Sequence, residues 1–175
     1  IVYLSFDELM KLCEKDFDND RLSHVRDFYC MGCFTGLRFS DLSKLHLANI
    51  SEDHIVLSIQ KTKTQNHAIK LNKYAKAILE KYKGTIYEPL PIISSQKFNE
   101  YIKECCELAE ITQSFTIHWF VGNKKKSLTQ PKCKFITSHT ARKTFITNSL
   151  LLGMVPKAIK KIANIKKDAV LDKYM

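Results

Sequence analysis

Between Asn49 and Leu71 the apolar residues of this chain change their spacing. On either side they recur every three or four positions, the period of a helix with one covered stripe, whereas HIVLSIQ and HAIKL alternate like strands with one covered face. The intervening KTKTQN is a turn region, so the unit reads strand, turn, strand. A second β-rich run, TIHWFV, precedes a Gly122-Asn123 turn and the lysines Lys124, Lys125 and Lys126. The expected fold is mainly α with a small antiparallel β-sheet of about three strands near the site, built as one domain over residues 1–175.

The helical segments carry their own punctuation. Ile1–Tyr3 reads as a strand-like lead-in, and Ser5 followed by Glu8 has the spacing of a capping box, with Leu9, Leu12 and Cys13 inward. Residues 21–36 are apolar along their second half, which predicts a helix buried on most sides and stopped by Thr35-Gly36. From Asn72 to Lys83 the residues Tyr74, Ala75, Ile78, Leu79 and Tyr82 fall on one side. Gly84 and two prolines in KGTIYEPLPII predict a looped midpoint, after which a Ser-capped helix buries Phe98, Ile102, Cys105 and Leu108. His118 and Trp119 read as packing residues.

Charge narrows the class of partner. The net charge is +10, and residues 97–175 hold nearly all of it, with 15 Lys and Arg against 6 Asp and Glu. Such asymmetry points to a polyanion, nucleic acid before membrane. No apolar run approaches the roughly 20 residues of a membrane span, and the N-terminus lacks the basic-then-apolar form of a signal peptide, so the cytoplasm is the expected compartment. The six cysteines include one C-x-x-C, Cys30 and Cys33, inside an apolar helical run with no second pair, and these read as reduced core thiols. There is no Gly-rich phosphate loop, carboxylate cluster or internal repeat. The expected chemistry uses no metal or other cofactor.

Candidate site residues lie in three places. Thr137-Ser138 reads as a helix start, so His139 and Arg142, three apart, share a face near the positive helix end, where free backbone N–H groups favour an anion such as phosphate. Upstream, Gly36 breaks a helix, Arg38 sits at the break, and Asp41 lies in the next first turn, placed to hold the arginine inward. Lys61 and Lys63 lie in or beside the hairpin turn, where a lysine can reach into a site as a proton donor. Tyr174, one residue from the end, is the candidate nucleophile.

Arg38 in TGLRFSDL, His139 and Arg142 in HTARKTF and Tyr174 in DKYM resemble, in that order, the catalytic residues of tyrosine recombinases, the phage-integrase family. The likeness spans the whole chain, and the terminal K-Y-M is similar to integrases of Bacteroides-type mobile elements. It implies a site-specific recombinase or integrase that cleaves and rejoins double-stranded DNA through a 3′-phosphotyrosyl intermediate. Such an enzyme works without metal or ATP, as a homo-tetramer on DNA though possible as a monomer in isolation, and beside an N-terminal DNA-binding domain not among these residues. In this reading Arg38 and Arg142 neutralise the phosphate oxygens, His139 assists the phenol, and Lys61 protonates the departing 5′ oxygen, with Lys63 the alternative. Asp41 orients Arg38 from behind, and Lys124, Lys125, Lys126 and Lys143 meet the DNA backbone.

Two departures stand out. Nine residues before its tyrosine the family has a histidine or tryptophan that bonds the phosphate, and this chain has Ile165, which cannot donate. Losing one such contact costs roughly 10²–10³ in rate. A catalytically impaired DNA-binding relative therefore stays open, as does a type IB topoisomerase-like enzyme that shares the chemistry. The chain also stops at Met175, without the C-terminal segment by which family members dock on a neighbour.

Overall fold

The computed structural model describes all 175 residues. Its first helix, α1 (Phe6–Glu14), starts where the capping-box spacing predicts. Glu8 N–H donates to Ser5 Oγ at 3.2 Å, and Ser5 N–H donates to Glu8 Oε2 at 2.7 Å. The residues before it pair with no strand, which corrects the strand-like reading of Ile1–Tyr3. Leu4 is instead held by side chains of a later helix: its N–H donates to Thr144 Oγ1 (3.0 Å) and its carbonyl accepts from Asn148 Nδ2 (3.1 Å).

α2 (Asp20–Thr35) has twelve of its sixteen residues buried. A helix that is apolar around its circumference has to be surrounded. It is packed by α1, α3 (Phe39–Leu42), α4 (Lys73–Tyr82), α5 (Ser95–Leu108) and α6 (Ser138–Leu151). Cys30 and Cys33 are buried free thiols of this core, as their apolar setting predicts. Burial pushes the Cys33 thiol well up, so it stays protonated. Leu108, expected inside, is exposed, because α5 turns Phe98, Ile102, Cys105, Cys106 and then Ala109 inward and Leu108 falls off that stripe.

β1 (Asn49–Ile50), β2 (His54–Ile59) and β3 (Thr64–Lys70) form an antiparallel sheet in the order β1-β2-β3. Ile55 pairs with Ile69 and Leu57 with His67, so this histidine sits on the covered face among Ile55, Leu57 and Ile69. β3 begins earlier than HAIKL predicts, and a register shift between Leu57 and Ile59 absorbs the irregular residues.

β4 (Ser114–Val121) and β5 (Lys124–Pro131) form a separate two-stranded ribbon in which every β5 residue is exposed. His118 and Trp119 are therefore not packing residues: both are exposed on the ribbon's outer half, where no third layer covers them. α7 (Pro156–Ile162), α8 (Asp168–Leu171) and a 3₁₀ turn (Asp172–Tyr174) close the chain over a second, smaller core. Phe145, Ile146, Ile159, Ala163, Ile165 and Leu171 form it, and Tyr174 packs against it. No helix is long and apolar enough to cross a membrane.

Candidate active site

Gly36 is where the site begins. It ends α2 in the left-handed conformation (φ 69°), and a Cβ there would stand 2.6 Å from the Phe145 ring, so both the dihedral and the contact demand glycine. The turn passes through Leu37 to Arg38, which caps α3, and Arg38 N–H donates to Asp41 Oδ2 at 3.4 Å. The carbonyl of Gly36 accepts from Arg142 Nη1 at 2.9 Å. One backbone junction thus presents Arg38 and holds Arg142.

The helix that carries Arg142 is anchored at its start. Thr137 and Thr140 close a reciprocal cap, Ser138 N–H donates to Asn99 Oδ1 on α5 at 2.8 Å, and Thr140 Oγ1 meets Tyr29 Oη on α2 at 2.9 Å. On α2, Gly32 lets this helix approach closely: a Cβ there would lie 3.0 Å from Ala141 Cβ. Arg142 consequently enters the site from a rigid element.

Arg38 Nη1 lies 3.9 Å from Asp41 Oδ2, an ion-pair distance too long for a hydrogen bond. That nitrogen is buried and has no hydrogen-bond partner. Buried donors are nearly always satisfied, so an unmet guanidinium N–H marks a place for an acceptor. The surrounding charges agree. Burial, and then the charge of Arg38, push the Arg142 guanidinium down to about 10, against the pull of Tyr174 and Asp41. Burial raises the Asp41 carboxyl, opposed by Arg38, Arg142 and His67. Burial also raises the half-buried Tyr174 phenol, opposed by Arg142. The four groups Arg38, Asp41, Arg142 and Tyr174 therefore share one electrostatic field, in which two guanidinium charges face one carboxylate and a neutral phenol. An anion relieves that imbalance.

The other expected residues are placed differently. His139 is exposed in the first turn of α6, one turn before Arg142. Lys61 and Lys63 are exposed on the turn between β2 and β3, and Lys63 takes a left-handed backbone (φ 50°). Lys143 is half-buried beside Arg142, while Lys124, Lys125 and Lys126 stand at the far end of the ribbon. Ile165 is 7% exposed in the small core, turned away from solvent. His67 was not among the expected residues. Its Nε2 lies 2.9 Å from the carbonyl of Ile162, tying the sheet to α7, and its ring acts on Asp41. The signal for it was present, since His67 shares the alternation parity of Ile69 and Leu71.

No group of three or more His, Cys, Asp or Glu side chains is placed to hold a metal ion. A cavity of about 750 Å³, lined by Ile50, Leu71, Lys73, Lys76 and Glu80 among others, contains none of the site groups.

The sequence matches no protein-family model and no curated protein. Solved structures do share its fold. XerA recombinase superposes with a TM-score of 0.64 at 20% identity, over 99% of this chain and 60% of that one. XerH site-specific recombinase, bound to its difH substrate in a pre-cleavage complex, gives 0.69 at 13% identity over 100% and 50% of the two chains. The catalytic domain of bacteriophage HP1 integrase gives 0.64 at 15% identity over 99% and 86%. The chain thus spans half to three fifths of the XerA and XerH chains. Its fold is that of tyrosine recombinase catalytic domains, mainly α with a small antiparallel sheet.

Proposed function

We propose that this chain is the catalytic domain of a DNA recombinase or integrase that attacks a phosphodiester with Tyr174. The observation that carries the reading is the unmet, buried Nη1 of Arg38 in one field with Arg142 and Tyr174. Tyr174 Oη forms a bond to phosphorus while the bond from phosphorus to the 5′ oxygen breaks. The phenolic proton passes to His139, and the 5′ oxygen takes a proton from Lys61, or from Lys63 in the second assignment. The two arginines bind the non-bridging oxygens as charge develops, with Arg38 oriented by Asp41. The resulting 3′-phosphotyrosyl diester conserves the bond energy, so attack by another 5′ hydroxyl reseals DNA without ATP. Duplex DNA is the partner, and a tetramer on two sites is the working assembly.

Tyr174 needs such help. Its phenol is raised by burial and stays protonated at neutral pH, so ionisation has to be coupled to phosphate binding between the arginines. A second reading, a DNA-binding relative without activity, draws on Ile165, an apolar side chain that cannot donate and is packed into the small core. The test is a nicked suicide duplex carrying a site selected by binding from a random-sequence pool. A covalent protein–DNA adduct is expected from the intact protein and not from Tyr174→Phe. A protein that binds the duplex but forms no adduct supports the second reading, and an adduct surviving Tyr174→Phe refutes the assignment of the nucleophile. Relaxation of supercoiled plasmid by the monomer, without strand exchange, marks a topoisomerase instead.

A further inference from the structure

The turn that carries Lys61 and Lys63 is tied down from a single short segment. Asn164, between α7 and α8, has a left-handed backbone (φ 48°) that aims its amide at the hairpin. Its Nδ2 donates to Thr62 Oγ1 at 2.7 Å and to Thr64 Oγ1 at 3.1 Å, and its Oδ1 accepts from Thr64 Oγ1 at 3.4 Å. The two threonine hydroxyls bond each other at 2.9 Å. Lys166 Nζ adds a bond to Thr62 O at 2.7 Å. The flanking residues Ala163 and Ile165 are fixed in the small core against which Tyr174 packs. Thr62 and Thr64 thus face the clasp, and the lysines on either side of Thr62 stay exposed.

A hairpin turn closes by its own backbone bonds and has no need of an amide 100 residues away. What this contact adds is a fixed relation between two segments: one holds the candidate lysines, the other leads into Tyr174. We infer that Asn164 is a positioning residue, whose side-chain amide clasps the Lys61–Lys63 turn to the Tyr174-bearing segment so that leaving-group acid and nucleophile are placed as one unit. The inference rests on the strand-transfer reading above. It also accounts for the exposure of the lysines, which need freedom at the ammonium and order at the backbone.

Asn164→Gly is the deciding variant, because glycine takes a positive φ without strain and so removes the amide while keeping the turn. Amide exchange at residues 60–64 and tryptic cleavage after Lys61 and Lys63 should rise on the order of tenfold, with α6 unchanged. On an ordinary duplex, covalent cleavage should fall on the order of tenfold or more. On the same duplex with sulfur at the scissile 5′ bridging position, the thiolate leaves without a proton, and variant and wild type should cleave alike. Thr62→Val combined with Thr64→Val should reproduce all three effects. Unchanged exchange and proteolysis overturn the clasp whatever the activity. An equal loss on oxygen and sulfur substrates overturns the role in proton delivery. A wild-type protein that forms no adduct refutes the strand-transfer reading and the acid role with it, while the exchange measurement still decides the clasp.

Discussion

Replacing Arg142 by Gln should stabilise the folded protein while abolishing its chemistry. Arg142 is a cation whose pKa is pushed well below the ordinary guanidinium value, to about 10, on folding, first because it is buried and next because Arg38 is near. For a base with a depressed folded pKa, the penalty is fully present below the folded value and disappears only as pH rises toward the unfolded one. At pH 7.5 the whole penalty applies, and at 1.36 kcal/mol per unit it is about 3 kcal/mol. Gln removes it and risks the bond to Gly36 O, worth about 1 kcal/mol. A net gain of about 1–2 kcal/mol remains, or roughly 2–8 °C in Tm for a chain of this size. Urea and thermal unfolding at pH 7.5 and low salt measure it. Duplex DNA should then stabilise the wild type more than Arg142→Gln, since mass action rewards the tighter-binding state and the variant keeps only its lysine contacts to the backbone. A variant less stable than wild type by more than about 1 kcal/mol would refute the idea that the two guanidinium groups are held together at a cost until an anion arrives.

Gly36→Ala combines a positive φ with a clash against Phe145 and should lose about 2–5 kcal/mol, a drop of roughly 4–20 °C in Tm; stability within about 1 kcal/mol of wild type refutes the demand for glycine. Ile165→His puts an imidazole into the small core and should cost about 1–3 kcal/mol without speeding adduct formation, whereas faster cleavage would mean that the position faces the phosphate. Changing Lys124, Lys125 and Lys126 together to Ala should flatten the salt dependence of duplex binding by up to about 2.7 in log–log slope if all three meet phosphates. Trp119, the only tryptophan, pairs across the ribbon with Lys126, so its emission should shift on DNA binding; an unshifted signal at saturation places the ribbon off the DNA.

Much of the fold was legible because local rules act within three or four residues. The Ser5–Glu8 box, the Gly36 stop and the Asn72 and Ser94 helix starts all stand where side-chain type and spacing predict them. The same rules set Asp41 one turn after Arg38 and Arg142 one turn after His139. They failed where neighbours in space decide. Leu108 and Trp119 are apolar yet exposed, since whether a face is covered depends on an element elsewhere in the chain. Nor does any local pattern connect Gly36 O to Arg142, 106 residues away, or Asn164 to Thr64 across 100. The sequence alone determined which residue types are available for phosphate chemistry and on which helices and turns they sit. Only the tertiary structure decided that Arg38 keeps an unmet donor, that Ile165 turns inward, and that the lysine turn is clasped to the tyrosine's segment, because burial and partnership belong to the packed chain and not to any window of it.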